Sequence, residues 1–541
     1  MRLPALNLEA PRTRLRLLEA AITHLGREGA LPPGLLERVA EETGCPLARA
    51  RVFFRRDEEL ALALYLRLAT ELEARAAELP TGTLAERFAA AMEAKFALLQ
   101  PYRPAIAALL ASLLDPRHEL GALSDATEWI RLRVMGVFST VLLGATDVPA
   151  DLSVERAAVV TRALYGAHLG LVLLWTQDRS AEAQAGQVGT ALARDLLALL
   201  GPALAVPELE MPLARVDGLL RPLLMAEEDD PHTEQARELL LALFRHRRLH
   251  NDSPCVARPC PQCLALHIPR VRRCVALREP LHLVLPAFPA KSPSASKVLG
   301  TLPDMAEEVA LRYLQHVCDE IRQVYTPGVR LTLCSDGRVF SDLVGVSDTD
   351  VTRYDTEIRA LLPRLGCRSF DTFALEDLFE GEDFAVLRER LCVHYAEPRE
   401  EIEARAAHYP HHRALFNGIH RFLCEEHPTG DPPLSRTRIR EQCKPLAYEV
   451  IRRSDAWGRL VAECFPAALR LSIHPQDPHS EKIGILLGDA DDAWITPWHG
   501  VAVRCGGQYR LMKRSDAEAM PGSRLVFLDG RPSHFVLGDE P

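Results

Sequence analysis

The chain has 541 residues, of which 48% are hydrophobic and 26% are charged, and its formal net charge is −10 at pH 7. This length exceeds what one hydrophobic core usually serves, so we expect about two to four domains. The acidic balance argues against a protein that coats nucleic acid with its whole surface. Thirteen cysteines, no signal-peptide pattern and no apolar run of about 18 residues lead us to expect a cytoplasmic protein with reduced thiols and no membrane contact.

Residues 1–205 predict an all-α domain. Apolar residues recur three and four positions apart, as in Leu18, Ile22 and Leu25, and no alternating strand pattern interrupts them. Residues 206–232 contain several prolines and an acidic run, which is typical of an interdomain linker.

Residues 233–541 differ in character, because short β-like runs alternate with helical ones. The predicted strands are residues 281–285, 329–334, 468–473, 483–487 and 525–528. Strands that alternate with helices predict an α/β domain, here Rossmann-like with a parallel or mixed sheet. We therefore expect a multidomain chain in which an all-α half precedes an α/β half.

The all-α half begins with a helix-turn-helix pattern. One helix ends near Gly26, a second covers about residues 33–43, and Gly44 opens a tight turn into a third helix at residues 46–54. Residues 44–60 resemble the DNA-binding domain of the TetR family of repressors, and by pattern the resemblance extends over roughly the first 200 residues. It implies that the third helix lies in the major groove of DNA.

Three arginines in this region, Arg49, Arg51 and Arg55, could neutralise DNA phosphates. The sequence also departs from the TetR pattern, because the positions of the family's tyrosine and lysine hold Arg51 and Asp57. DNA binding is therefore one interpretation of this half, and a retained scaffold for dimerisation or docking is the other. We expect the protein to be a homodimer.

Charged residues gather at turns between residues 285 and 343. Lys291 and Ser292 follow one predicted strand, and Asp336 and Asp342 follow the next. Ligands of open α/β sheets bind at the carboxyl ends of the strands. The pattern therefore predicts an enzyme with a site for an anionic substrate.

Five motifs of the α/β half resemble the isocyanide (isonitrile) synthase family, which is also called the pyoverdine/dityrosine biosynthesis family. They occupy residues 286–293, 302–307, 335–342, 470–475 together with 482–485, and 496–500. The resemblance implies an enzyme that condenses the amine of tyrosine or tryptophan with ribulose 5-phosphate and so forms an amino-acid isonitrile in secondary metabolism. It implies no cofactor for catalysis, and a downstream oxygenase that uses iron and 2-oxoglutarate.

The residues of these motifs suit that chemistry. Imine formation and carbon–carbon cleavage require proton donors and acceptors, and we assign this catalytic work to Lys291, Asp336, Asp342, His474 and His499. A sugar phosphate and an aromatic substrate require positive charge, hydroxyl donors and a flat surface, which we assign to Ser292, Lys297, Arg338, Lys482 and Trp498.

Simpler explanations apply to several of these residues and their neighbours. Asp304 and Glu307 suit the first turn of a helix, so we assign both to helix capping. His474 could be an ordinary polar strand end, and Trp498 could be a core anchor. For the whole chain, the alternative is a TetR-type DNA-binding regulator whose α/β half serves only as a ligand sensor.

A cluster of soft ligands precedes the first predicted strand. Cys255, Cys260, Cys263 and His267 have a spacing that could hold a structural Zn²⁺ ion tetrahedrally. The alternative is that Cys260 and Cys263 are ordinary thiols at the start of a helix.

Overall fold

The chain folds into two compact units. The helical unit comprises Thr13–Ala236 and Pro269–Arg278, and the α/β unit comprises Arg237–Ile268 and Glu279–Pro541. The computed structural model describes residues 12–77, 79–149, 152–180, 184–204, 206–225, 230–249, 255, 259–378, 383–408, 410–427, 435–476, 480–489 and 495–538. The predicted order, an all-α half followed by an α/β half, is confirmed.

Helices account for the regular structure of the helical unit among the residues that the structure describes. Its large buried side chains, such as Leu17, Phe88 and Phe138, form an apolar interior. The helices up to the first strand are α1 (Arg12–Glu28), α2 (Leu35–Glu42), α3 (Leu47–Phe53), α4 (Asp57–Ala77), α5 (Leu84–Leu99), α6 (Arg103–Ala108), α7 (Leu110–Leu114), α8 (Glu128–Leu143), α9 (Val154–Gln177), α10 (Gln184–Ala203), α11 (Glu210–Leu224), α12 (Pro231–Phe244), α13 (Pro261–Ala265) and α14 (Ile268–Leu277).

The helix-turn-helix geometry of α2 and α3 is present. Gly44 between them has a φ of 67°, in the left-handed region that favours glycine. The carboxylate of Asp57 accepts hydrogen bonds from the backbone N–H groups of Gly34 at 2.8 Å and Leu36 at 2.7 Å. Asp57 occupies the position at which the TetR resemblance expects a lysine. Its carboxylate therefore caps the start of α2, although the two are more than 20 residues apart in the chain.

The predicted DNA contacts differ in their surroundings. Arg51 is exposed, and its guanidinium donates to Glu37 of α2 at 3.0 Å. Arg55 is also exposed and lies just after α3, whereas Arg49 on α3 is half-buried. The ion pair with Glu37 joins the two helices of the motif, and DNA binding stays a prediction.

The structure differs from the linker that residues 206–232 predict. Helix α11 covers most of this segment, and its Asp217 accepts a hydrogen bond of 2.6 Å from Arg162 of α9. Pro212 lies in the first turn of α11, where the N–H groups need no partner within the helix. Of the prolines that suggested a linker, Pro212 therefore suits the start of a helix, whereas Pro222 lies inside α11. The helical unit continues to Ala236.

One helix runs against the expectation that the chain has no membrane-length apolar run. Residues Glu155–Gln177 of α9 are long and apolar enough, by length and composition, to cross a membrane. Tyr165, His168 and Trp175 on this helix are nevertheless buried within the helical unit. Only 33% of this apolar stretch is buried in the structure, and Leu173 and Leu174 are among its exposed residues.

The α/β unit is built around a five-stranded parallel sheet. The strand order is β3-β2-β1-β4-β5, and each neighbouring pair is parallel. Its elements are β1 (Leu281–Pro286), α15 (Met305–Val324), β2 (Val329–Cys334), α16 (Gly337–Phe340), α17 (Asp348–Arg364), β3 (Phe370–Phe373), α18 (Phe384–Tyr395), α19 (Arg399–His408), α20 (Pro410–Glu426), α21 (Arg436–Cys464), β4 (Leu469–Ser472) and β5 (Lys482–Gly484).

A second sheet of four strands follows in the chain. Its order is β7-β6-β9-β8, with antiparallel pairs β6–β7 and β8–β9 and a parallel pair β6–β9. Both hairpins turn on two residues of positive φ, Gly506-Gly507 and Asp529-Gly530, as tight hairpin turns require. The elements are β6 (Val501–Cys505), β7 (Gln508–Met512), α22 (Arg514–Ala519), β8 (Arg524–Leu528) and β9 (Arg531–Val536).

Candidate active site

The sheet order places a crevice beside the carboxyl end of β1. From β1 the chain proceeds to β2 on one side, and β4 lies on the other side. Ligands of open α/β sheets bind where the strand order reverses in this way. Adjacent strands are roughly 4.8 Å apart, so the segments after β2 and β4 are separated by about 10 Å.

The loops after β1 and β2 lie in close contact. A Cβ atom at Gly337 would lie only 2.0 Å from the carbonyl oxygen of Pro289, so the backbones approach in a way that only glycine permits. The hydroxyl of Ser335 donates to the carbonyl of Phe288 at 3.3 Å. Phe288 is buried and has a φ of 57°, a strained conformation for a bulky residue. Such strained positions cluster at functional sites.

Lys291, in the loop after β1, is sealed inside the α/β unit. Its ammonium nitrogen lies 2.9 Å from Asp304, 2.8 Å from Glu307 and 3.0 Å from the carbonyl oxygen of Pro497. These three acceptors engage all three N–H donors of the side chain. Burial alone lowers the pKa of Lys291, but the two carboxylates outweigh burial and raise it above its ordinary value. Lys291 is therefore charged at neutral pH and held by two carboxylates, and its part in proton transfer stays a prediction.

Asp304 and Glu307 serve two purposes at once. They form the predicted capping box of α15, in which Asp304 accepts from Ala306 N–H at 2.8 Å and Glu307 accepts from Asp304 N–H at 2.9 Å. They also hold Lys291, and the hydroxyl of Tyr354 donates to Glu307 at 3.1 Å. Burial raises the pKa of Glu307 despite the lysine beside it. Capping alone is therefore an incomplete account of these two carboxylates.

Asp336 follows the end of β2. Its Oδ1 atom is buried and has no hydrogen-bond partner among the residues that the structure describes. Burial raises the pKa of Asp336 to about 7. A carboxyl group with this pKa can both donate and accept a proton near neutral pH.

His474 follows the end of β4, and its side chain is exposed to solvent. The surrounding protein lowers its pKa to about 4, and the charges of Arg248 and Lys482 contribute. The imidazole is neutral at pH 7, so one ring nitrogen accepts a proton while the other donates one.

His499 lies in the short 3₁₀ turn Pro497–His499 that leads into β6. Its Nδ1 shares a hydrogen bond of 3.0 Å with the hydroxyl of Thr496, and its ring contacts Phe422 at 4.9 Å between centroids. Burial lowers the pKa of His499 to about 3, and the charges of Lys297, His474 and Lys291 add to the effect. These electrostatic contributions indicate that the segments after β1 and β4 converge on this turn.

Comparison with known proteins agrees with this arrangement. A family model described as pyoverdine/dityrosine biosynthesis protein matches residues 271–525. An L-tryptophan isonitrile synthase of Fischerella ambigua is 48% identical over 307 residues, which are 57% of this chain and 93% of that protein. The chain belongs to the isonitrile synthase family.

Two further relatives come from Pseudomonas aeruginosa. An L-tyrosine isonitrile synthase is 41% identical over 314 residues, which are 57% of this chain and 95% of that protein. The crystal structure of the PvcA protein superposes with a TM-score of 0.53 at 40% identity, over 56% of this chain and 99% of that one. Membership of a synthase family does not favour a DNA-binding regulator whose α/β half is only a sensor. The TetR resemblance of the helical unit stays a prediction.

Arg338 of this synthase is engaged by protein groups. Its guanidinium is buried and donates to the carbonyl of Asp348 and to the hydroxyl of Thr352, both at 2.6 Å. It also lies over the ring of Phe384, 3.7 Å from the centroid. These partners hold the guanidinium inside the fold, and the phosphate contact stays a prediction.

Asp342 is likewise engaged by protein groups. Its carboxylate accepts from Arg453 of α21 at 2.8 Å and lies 3.6 Å from Arg388 of α18. The ion pairs tie the segment after α16 to two helices of the long crossover. These contacts hold Asp342 in place, and its part in proton transfer stays a prediction.

Three other predicted substrate-binding residues lie together in the loop after β1 and the turn before β6. The hydroxyl of Ser292 donates to Glu426 at 2.8 Å, and the ammonium of Lys297 lies 2.7 Å from the same carboxylate. Trp498 is buried and packs on Phe288, 5.2 Å between centroids, so the core-anchor explanation holds. Trp494 lies outside the described residues.

The strand register changes the position expected for Lys482. It pairs with Arg470 at the start of β4, whereas His474 follows the end of that strand. The side chain of Lys482 is exposed to solvent. The protein packed around its ammonium group lowers its pKa, and the charge of the neighbouring Arg470 lowers it further. The long side chain still places its charge near enough to His474 to lower the pKa of that imidazole.

Arg248 is a site residue that the sequence reading missed. Its backbone N–H donates to the carbonyl of Gly484 at 2.7 Å, which attaches the segment after α12 to the edge of the sheet. Its guanidinium donates to the carbonyl of Ile473 at 2.6 Å, directly before His474. The segment lacks any strand pattern, so no signal in the sequence could have placed this arginine beside β4.

Proposed function

We propose that the α/β unit condenses the amine of an aromatic amino acid with ribulose 5-phosphate and so forms an amino-acid isonitrile. The observation that carries the proposal is the pair of proton-transfer groups on either side of β1, Asp336 after β2 and His474 after β4. The loop after β1 lies between the two segments, and a substrate bound over this loop at the carboxyl edge of the sheet would lie between acid and base.

Asp336 supports the first part of this chemistry. Imine formation takes a proton from the attacking amine and gives one to the departing oxygen of the sugar carbonyl. A carboxyl group with a pKa of about 7 is populated in both protonation states at neutral pH. Neutral His474 and His499 provide further acceptors on the opposite side of the crevice.

The phosphate of the sugar requires positive charge that the protein has not already neutralised. Lys291 and Lys297 face carboxylates at less than 3 Å, so their charges are balanced. Arg248 and Lys482 both lower the pKa of His474, so they bring positive potential to this side of the crevice. We place the phosphate on this side of the crevice, near the edge strand β5.

Phe422 supports binding of the aromatic amino acid. It lies on α20, is half-buried, and contacts His499, while the ammonium of Lys297 lies 5.2 Å from its ring centroid. Aromatic rings pair favourably at such distances. Because the tryptophan enzyme of Fischerella shares more residues with this chain than the tyrosine enzyme of Pseudomonas, we propose L-tryptophan as the substrate.

The test supplies the full chain with ribulose 5-phosphate and either L-tryptophan or L-tyrosine, and follows the products by mass spectrometry. We expect the isonitrile of tryptophan, formed faster than that of tyrosine. A faster reaction with tyrosine would overturn the choice of amino acid alone. If neither amino acid yielded an isonitrile, the proposed condensation would be refuted.

A further inference from the structure

We propose that Cys255, Cys260 and Cys263 bind one structural zinc ion in the α/β unit. Their sulfur atoms lie within 4.8 Å of one another, and those of Cys260 and Cys263 are 3.7 Å apart. Zinc binds thiolates tetrahedrally at about 2.3 Å, which sets neighbouring sulfurs about 3.8 Å apart. The three thiols are therefore spaced like ligands of a single ion.

The local backbone explains why two of the sulfurs are so close. The N–H group of Cys263 donates to the carbonyl of Cys260 at 3.1 Å, which closes a tight turn. Pro261 occupies the first position of α13, where proline is favoured. A Cys-x-x-Cys turn of this kind is the spacing that zinc knuckles use, and a disulfide would instead require sulfurs about 2.05 Å apart.

The environment of the cluster favours a cation. Cys255 and Cys263 are both buried. A divalent ion bound among them would stabilise each thiolate directly.

The structure brings together three of the four ligands that the sequence predicts. His267 is buried, and its backbone N–H donates to the carbonyl of Leu264 at 2.9 Å. Its ring packs edge-on against Phe244, 6.0 Å between centroids, and it does not belong to the group of three sulfurs. The proposed site is therefore a three-thiolate site whose fourth ligand is water or a reoriented His267.

The position of the cluster suggests what the ion does. Arg247 and Leu249 pair with Ile485 and Gln476 at the edge of the sheet, only a few residues before Cys255. Arg248 between them reaches the carbonyl of Ile473. An ion bound just after this segment would fix it against the sheet and so hold Arg248 beside the crevice. We assign the zinc a positioning role and no part in the reaction.

The first experiment uses the full chain, purified without chelators, and measures its metal content by elemental analysis. We expect about one zinc per chain. After removal of zinc, titration with Co²⁺ should give sulfur-to-cobalt charge-transfer bands and the intense visible bands of tetrahedral coordination. A chain that contains almost no zinc and binds Co²⁺ without these bands would overturn the proposal, and this result does not depend on any variant folding.

Variants then identify the ligands. Cys260→Ser and Cys263→Ser should each weaken Co²⁺ binding by at least about tenfold and speed hydrogen exchange in residues 245–268. Cys505→Ser is the matched control, because Cys505 is exposed and lies on β6. Unchanged Co²⁺ binding in both cluster variants, or a disulfide between Cys260 and Cys263 in the isolated protein, would refute the site. Neither outcome bears on the proposed condensation, which is measured separately.

Discussion

The buried ion cluster around Lys291 gives the sharpest prediction about stability. Lys291→Met removes the positive charge that lies less than 3 Å from both Asp304 and Glu307, and the lysine side chain is fully buried. Breaking a buried ion pair by removing one partner costs about 3–5 kcal/mol, because an uncompensated charge stays inside the protein. We therefore expect the α/β unit of the variant to open roughly a hundredfold to a few thousandfold more often.

Hydrogen exchange measured by mass spectrometry reports this opening in peptides that cover β1 and α15. The loss should be largest above neutral pH and should shrink on acidification. The pKa of Glu307 is already raised by burial, and without the lysine it rises further, so a proton relieves the buried charge as the pH falls. Lys444→Met on α21 is the control, because Lys444 is exposed and its loss should change stability by no more than about 0.5 kcal/mol. Equal exchange in the two variants would contradict the reasoning.

Three further predictions concern the crevice. Asp336→Asn should lower turnover at least about a hundredfold and yet stabilise the α/β unit at pH 8. Burial raises the pKa of Asp336 from 3.8 to about 7, so the gain in stability should vanish as the pH falls through that interval. A variant that is destabilised at pH 8 would count against this prediction. His474 and His499 stay neutral in the folded protein down to about pH 4 and pH 3, whereas unfolded histidine takes up a proton below about pH 6.5. The free energy of unfolding should therefore fall between pH 6.5 and 4. Histidine NMR that shows either ring protonated at pH 6 would disprove this. Arg248→Ala should raise the KM for ribulose 5-phosphate more than the KM for the amino acid, and equal changes in both would argue against a phosphate contact.

The central sheet could be predicted because its strands are buried on both faces. Such strands appear in the sequence as continuous apolar runs, as at β1 and β2. Strand β3 was missed because it is four residues long and includes Asp371 and Thr372. Strands β6, β7 and β9 were also missed, although Gly506-Gly507 and Asp529-Gly530 are the two-residue hairpin signals that could have revealed them.

The sequence located the site better than it assigned the roles. Lys291 and Asp336 were singled out because they follow strands, and the carboxyl ends of strands are where sites form. Their roles diverge because of partners that only the folded chain brings near. Lys291 meets two carboxylates on the first turn of α15, whereas Asp336 meets no partner at Oδ1 among the described residues. Charge at a turn looks the same in a sequence whether the fold neutralises it or not.

The proposed condensation is tested most directly by isotope transfer. The full chain is incubated with ¹⁵N-labelled L-tryptophan and uniformly ¹³C-labelled ribulose 5-phosphate, and the product is analysed by high-resolution mass spectrometry and ¹³C NMR. We predict a tryptophan isonitrile that keeps the ¹⁵N label and gains a single ¹³C, bonded directly to that nitrogen. An isonitrile without ¹³C, or a ¹³C-labelled product that has lost the ¹⁵N, would contradict the account.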